Sequence, residues 1–277
     1  MLVRFARRGF SYLFLSVLAF TFLLPFFWMV STALKSPAEV FSIPLIWVPR
    51  PPVWGNIVEG WFSVNFSRFM LNTLFITVAG TLGTMITSAI VAYGFARFPC
   101  RWNTILFTFV LATLMLPSQI LLIPSFILFA RIGWVNTFIP LILPAWLGGG
   151  AFNIFLLRQF FRSIPKELDE AAEIDGCGSF GIFFRILLPA IKPAMTTVGI
   201  MSLIFFWNDF LGPLIYLQSE SLYTLSIGLQ FLNAQLGVTQ IHLLMAVSVV
   251  SILPLITLFF AAQRYFVQGI TVTGLKG

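Results

Sequence analysis

Six apolar runs, each near the length of a membrane-crossing helix, leave this chain few folds to choose from. They cover residues 12–34, 71–95, 103–129, 137–160, 194–217 and 241–262. About 20 predominantly apolar residues cross a hydrocarbon core as a helix. In lipid the backbone N–H and C=O groups find no water, so each run must pair them internally. Hydrophobic residues make up 59% of the chain and charged residues 9%, against roughly 25% charged in a soluble domain. A soluble fold of this size has no way to hide so much apolar surface. The expected fold is all-α and integral to the membrane, with six transmembrane helices.

The segments between the runs carry the topology. An even number of spans puts both termini on one side. Lys35, Arg50, Arg68 and Arg131 then fall on the opposite side, and the other 12 of the 16 Lys and Arg residues on the side of the termini. The positive-inside rule makes that side the cytoplasm. The net charge of +7 is accounted for by these basic loops, with no need of nucleic acid as a partner. Residues 35–70 are rich in Pro (Pro37, Pro44, Pro49, Pro51, Pro52) and spaced Trp (Trp47, Trp54, Trp61). That composition predicts an ordered extracytoplasmic loop with its indoles at headgroup depth. In the second run Ala79, Gly83, Ser88, Ala92 and Ala96 are small residues spaced for close helix packing. Pro117, Pro124, Pro140, Pro144 and the run Gly148, Gly149, Gly150 interrupt later runs. Such breaks fit helices bent around a cavity and fit kinks that membranes tolerate equally well.

Reaction chemistry is hard to build from this sequence. Cys100 and Cys177 are too few for a disulfide framework or a cysteine-rich metal site, and both fall on the cytoplasmic side, where thiols stay free. The single His242 supports no histidine metal cluster, and no metal ligands are assigned. No G-x-x-x-x-G-K-[ST] phosphate loop occurs, since Gly148–Gly150 lacks the lysine. The chain is expected to be no enzyme and to bind no cofactor itself. No small-residue cleavage pattern follows the first apolar run, so a cleavable signal is not expected.

One polar stretch breaks the downstream half, residues 165–193. It holds Glu167, Asp169, Glu170, Glu173 and Asp175, five of the nine acidic residues. Pro165 suits the first turn of a helix, good helix formers follow, and Gly176 is a suitable stop. A second helix is expected over 179–188, closed by Pro189 and Pro193. Helical spacing groups Leu168, Ala171, Ala172 and Asp175 on one face, which the paired alanines keep shallow enough for another protein to approach. Glu170 and Asp175 beside it can meet basic groups. A solvated loop that merely caps the bundle would have the same composition.

The order of these residues resembles a known motif. Glu170-Ala171-Ala172, Asp175-Gly176, then Ile186, Leu188 and Pro189 match the EAA loop of bacterial ABC importer permeases at every position of its usual form. Cys177 stands where many relatives have alanine. The flanking sequences Phe155-Leu156-Leu157-Arg158-Gln159-Phe160-Phe161, Ser163-Ile164-Pro165 and Trp207-Asn208-Asp209-Phe210 resemble the carbohydrate-uptake branch of that family. So do Lys35, Glu39-Val40-Phe41 and the tail from Gln263-Arg264-Tyr265-Phe266 to Gly277. The similarity covers nearly the whole chain and is strongest to permeases like the shorter one of the maltose transporter.

The resemblance implies the type I ABC importer arrangement. Residues 1–66 would form an N-terminal arm, the first helix and the Pro/Trp-rich loop. Residues 67–264 would be the transmembrane domain, with its EAA loop at 161–193, and 265–277 a cytoplasmic tail. It implies a bacterial cytoplasmic-membrane subunit importing a sugar or oligosaccharide. Its partners would be a second, non-identical permease, a dimer of cytoplasmic ATPases and an extracytoplasmic solute-binding protein. ATP and Mg2+ would be used by the ATPases, which would dock on Glu170, Ala171, Ala172, Asp175 and Gly176. Import of glycerol 3-phosphate or another polyol is an alternative on the same architecture. A self-sufficient secondary transporter or channel is an alternative of another class, but it should show several paired intramembrane ionisable residues. Asp209 is the one acidic residue inside a run. A charge at that depth costs several kcal/mol unless it faces water or a partner, so Trp207, Asn208 and Asp209 are candidates for the solute pathway or for a buried contact between helices. Asn72, Gln119 and Asn153 are weaker candidates.

Overall fold

In the computed structural model the described residues are 2–236 and 240–274, with side chains described over 9–117, 119–235 and 240–263. The tail residues Arg264 and Tyr265 thus have described backbone only, and Leu275, Lys276 and Gly277 lie outside the described residues. The described chain is helical, without a strand. Four helices are long and apolar enough to cross a membrane, Gly9–Ala33, Phe66–Arg97, Ile139–Ser163 and Ile241–Gln263. Two further pairs are bent by 101° and 78°, and bring the number to six when each pair is one span.

The chain divides into two compact units. The first takes the residues up to Ser67 together with Ile227–Pro254. Its loop after the first helix is pinned from within. Asn56 Nδ2 donates to the carbonyls of Ala33 and Lys35 at 2.9 and 2.8 Å, and Ser31 Oγ donates to that of Trp47. Trp28 meets Trp47 edge-on at 5.5 Å and carries the Lys35 ammonium 3.8 Å from its ring centroid. Lys35 is fully buried, and that burial lowers its pKa while the nearby Glu39 charge pushes the other way. Ser36 and Glu39 form a capping box around the short helix Pro37–Val40. Gly60 lets the helix Gly55–Ser63 lie against the last long helix, where a Cβ would come within 2.9 Å of the Leu243 carbonyl oxygen. The loop is therefore ordered, as its Pro and Trp content predicts. His242 is buried beside it in the same unit.

The second unit runs over Arg68–Ser226 and resumes at Leu255. The long helix Phe66–Arg97 starts five residues before the expected 71, because nothing in Phe66–Met70 opposes helix. Its small residues do meet partners closely. Trp146 Nε1 donates to the Ala79 carbonyl and its indole lies over Gly83. Ala89 and Ala92 enter a core with Phe107, Leu157, Phe161, Phe183, Leu187 and Val198.

Three of the predicted runs are not straight. The third breaks before Pro117, which drives Leu116 to extended backbone (φ −82°, ψ 118°) and sends Ser118–Arg131 off in a new direction. The fourth is interrupted by Gly148, Gly149 and Gly150, all at positive φ. Gly149 sits so near the Phe66–Arg97 helix that a Cβ would fall 2.6 Å from the Thr84 carbonyl oxygen. The fifth ends early. The helix Lys192–Asn208 stops at Asp209, and a separate short helix, Leu211–Tyr216, follows.

The expected second helix of the polar stretch is longer than 179–188. Ser179–Ile182 passes into a π turn at Phe183–Leu187 and then into Leu188–Ala190. Pro189 offers no N–H to the carbonyl one turn before it, and the wider turn absorbs the mismatch. The bend of 78° comes at Ile191, ahead of Lys192–Asn208.

Candidate functional site

The acidic stretch forms the helix Glu167–Ile174, with Glu167, Asp169 and Glu170 in its first turn, where carboxylates favour the positive end of the helix dipole. Its other end closes as a Schellman motif. The Cys177 N–H donates to the Ala172 carbonyl at 2.9 Å and the Gly176 N–H to that of Glu173 at 3.0 Å, with Gly176 at φ +81°. The glycine stop expected from the sequence is thus a left-handed cap that a side chain would strain.

Sequence spacing puts Ala171 and Ala172 on one outward face. The structure separates them. Successive residues on a helix lie about 100° apart, and Ala172 turns inward, 6% exposed, onto Leu157, Phe161, Ile182 and Leu187. Ala171 stays outside with Glu170, Glu173 and Asp175. The apolar part of the outer surface comes instead from Leu168, Ile174 and Phe180, which are 49%, 87% and 81% exposed. Large exposed apolar side chains beside carboxylates make a surface suited to a protein partner.

The acidic stretch is tied to the rest of its unit at two points, one on this helix and one on the next. Arg97, the last residue of its long helix, places Nε 2.6 Å from Asp169 Oδ2 and donates from Nη2 to the Ile164 carbonyl at 3.0 Å. Tyr93, one turn earlier, donates its hydroxyl to the Ser179 carbonyl at 3.0 Å. Burial raises the pKa of Asp169, and the Arg97 guanidinium opposes that rise. Neither tie is legible in the sequence, because each joins residues more than sixty positions apart and Arg97 reads there only as a basic loop residue.

Trp207, Asn208 and Asp209 do not form one surface. Trp207 is buried at 7% exposure. Asn208 is exposed and donates to the Ile204 carbonyl within its own helix. Asp209 Oδ1 accepts from the Gly212 N–H at 3.2 Å, capping the short helix that follows. Asn72 is buried and donates to the Ser221 and Tyr223 carbonyls, and Asn153 donates to that of Gly149. Gln119 lies exposed on Ser118–Arg131. Asn136, which no local pattern singles out, adopts φ +62° and accepts at Oδ1 from the N–H groups of Gln218 and Ser219.

Comparison with known proteins gives the family. The profile of the family described as "Binding-protein-dependent transport system inner membrane component" matches residues 85–272. The "Probable ABC transporter permease protein YurM" of Bacillus subtilis (strain 168) is 37% identical, over 96% of this chain and 87% of that protein. The "Arabinooligosaccharides transport system permease protein AraQ" of Halalkalibacterium halodurans is 34% identical, over 94% of this chain and 93% of its own length. Among solved structures, a chain of "a bacterial ABC transporter involved in the import of the acidic polysaccharide alginate" superposes with a TM-score of 0.81 at 24% identity, covering 92% of this chain and 95% of that one. At that identity the likeness concerns the fold.

Proposed function

Since the chain belongs to the family of binding-protein-dependent transport system inner membrane components, and is a multi-pass permease subunit of an ABC importer, we propose that its cargo is a sugar or oligosaccharide. The 34% identity to an arabino-oligosaccharide permease, spread over nearly the full length of both chains, is the observation that carries this reading. A second, non-identical permease subunit completes the pathway, and an extracytoplasmic protein delivers the solute. Two cytoplasmic ATPases hydrolyse ATP with Mg2+ and supply the work. Both termini and the acidic helix face the cytoplasm.

This chain's part in coupling is mechanical. The ATPase seats on the outer surface of Glu167–Ile174, with Glu170, Ala171 and Asp175 at the contact and Gly176 holding the helix end. Ala172 serves from the other side, as the fulcrum packed into the core. Motion of that helix passes by two routes. One is the Asp169–Arg97 pair into Phe66–Arg97, and the other is the helical run Ser179–Ala190, bent at Ile191 into Lys192–Asn208. A pair of packed helices with a fixed bend between them moves as a lever, because close-packed interiors shift between discrete arrangements and do not deform smoothly. Trp207, Asn208 and Asp209 end the driven helix and set the shape of the pathway there.

The test is uptake by the reconstituted assembly of this chain with its partner permease, ATPases and binding protein. Labelled arabino-oligosaccharide or another oligosaccharide should accumulate only with ATP and the binding protein present. Accumulation by this chain alone, without ATPase, would overturn the reading in favour of a self-sufficient transporter.

A further inference from the structure

We propose that a cationic cavity beside the docking helix binds the phosphate of an anionic phospholipid. The cavity measures about 320 Å³ and lies among Phe95, Arg97, Asn103, Arg158, Arg162 and Lys166. Its position follows from where the helices end. Arg97 is the last residue of Phe66–Arg97, Asn103 the first of Asn103–Ala112, and Arg158 and Arg162 lie in the last two turns of Ala151–Ser163. Two of these helices are parts of membrane spans that end here, and the third begins one, so the cavity opens at the level of the lipid headgroups. The short connection between the first two ends carries exposed Phe98 and Trp102, with Arg101 stacked 4.9 Å from the Trp102 ring. Aromatic and basic side chains together at a helix end mark the membrane interface.

Charge is unbalanced in the cavity. Four cationic side chains line it, and only Arg97 has an ion-pair partner among the described residues, Asp169. Arg158 and Arg162 stand at i and i+4 on one helix, a spacing at which like charges repel. Arg158 is nonetheless held in place. Its Nε donates to the Phe95 carbonyl at 3.3 Å and its guanidinium carbon lies 3.9 Å from the Phe107 ring centroid. A half-buried arginine whose guanidinium is held at Nε and over an aromatic ring, in a lining shared with Arg162 and Lys166, is a preformed fork for a tetrahedral oxyanion. Basic pockets between membrane helices bind phospholipid headgroups through the same chemistry. Exposed Ile105, Leu106 and Phe109 on the helix that begins at Asn103 give acyl chains apolar surface to lie on, which a free phosphate does not need.

The experiment measures association of spin-labelled phosphatidylglycerol and phosphatidylcholine with the complete transporter in vesicles. It compares the wild type with Arg162→Gln/Lys166→Gln, both at exposed positions, and with Arg158→Lys, which keeps the charge and loses the fork. The wild type should prefer phosphatidylglycerol. The double variant should lose on the order of tenfold in that preference, and Arg158→Lys should lose part of it, with phosphatidylcholine unaffected in each. Equal association of the two lipids with the wild type would overturn the proposal. So would an unchanged preference in the double variant, whether or not the ATPase is lost from it, since the cations would then serve a protein contact or none. Displacement of the phosphatidylglycerol by millimolar inorganic phosphate would reassign the cavity to a soluble anion.

Discussion

Arg97 closes one long membrane helix, and its guanidinium reaches Asp169 on the acidic helix Glu167–Ile174 at 2.6 Å. The two side chains are 6% and 16% exposed, so the pair is the one charged bolt between the acidic helix and a membrane span among the described residues. Removing one partner of a buried pair leaves the other without compensation, at a cost on the order of 3 kcal/mol. Arg97→Gln should therefore loosen the acidic helix and, on the proposed coupling role, separate ATP hydrolysis from uptake. The pH response distinguishes this from general misfolding. The folded-state pKa of Asp169 is raised by burial, so the fold is disfavoured by its charge above that value and relieved as pH falls toward the ordinary carboxylate range. Arg97→Gln removes the opposing cation and raises that pKa further. Its thermal stability should accordingly recover more on acidification from pH 7.5 than the wild type gains, measured as Tm in lipid nanodiscs. A parallel pH profile for the two proteins would show that the pair carries no such energy.

Gly176 is open to solvent, with no atom within 4 Å of a Cβ built on it, yet its φ is +81°. Any penalty for a side chain there is backbone strain, without steric clash. Gly176→Ala should cost about 1–2 kcal/mol, Gly176→Asn less, and Gly176→Pro should abolish the cap because its ring fixes φ near −65°. Uptake should decline in the order Gly, Asn, Ala, Pro while membrane insertion is constant. A transport-competent proline variant would show the cap to be dispensable.

Ala171 and Ala172 are neighbours with opposite duties. Ala172→Glu would bury a carboxylate against Leu157 and Phe161 and should lower the yield and thermal stability of the subunit by several kcal/mol. Ala171→Glu adds charge to an exposed position, so the subunit should fold and insert normally but fail to co-purify its ATPase. The same outcome for both variants would contradict the division of the helix into an inner and an outer face.

Much of this was readable in advance, and what was not has a common physical cause. The apolar runs gave the spans, because lipid admits no other way to satisfy a backbone. The helix formers after Pro165 and the glycine at 176 pointed to the acidic helix and its glycine end, since caps are local. Which alanine faces inward depends on what packs against the helix, and Leu157, Phe161 and Leu187 come from elsewhere in the chain. The Arg97–Asp169 pair is likewise invisible to any local pattern. The bends at Leu116 and Ile191 were signalled by Pro117 and Pro193, but proline announces a break without its angle. Arg158, Arg162 and Lys166 read as a tally of positive charge, and only the convergence of three helix ends makes them a cavity.

Asp209 is the acidic residue that sequence places deepest, and its geometry decides what a substitution should do. Its carboxylate accepts from the Gly212 N–H and so starts Leu211–Tyr216 just where Lys192–Asn208 stops. An amide oxygen serves that cap nearly as well, whereas an alkyl chain removes it at about 1 kcal/mol. Asp209→Asn should therefore preserve assembly, and Asp209→Leu should lower the subunit's stability by about that amount and shift the short helix. Uptake then separates the two roles. If the carboxylate serves only as the cap, Asp209→Asn transports at close to the wild-type rate, and that is the outcome expected from the hydrogen bond. A well-assembled Asp209→Asn variant with a raised KM for the solute and unchanged ATPase stimulation would instead put the negative charge in the pathway.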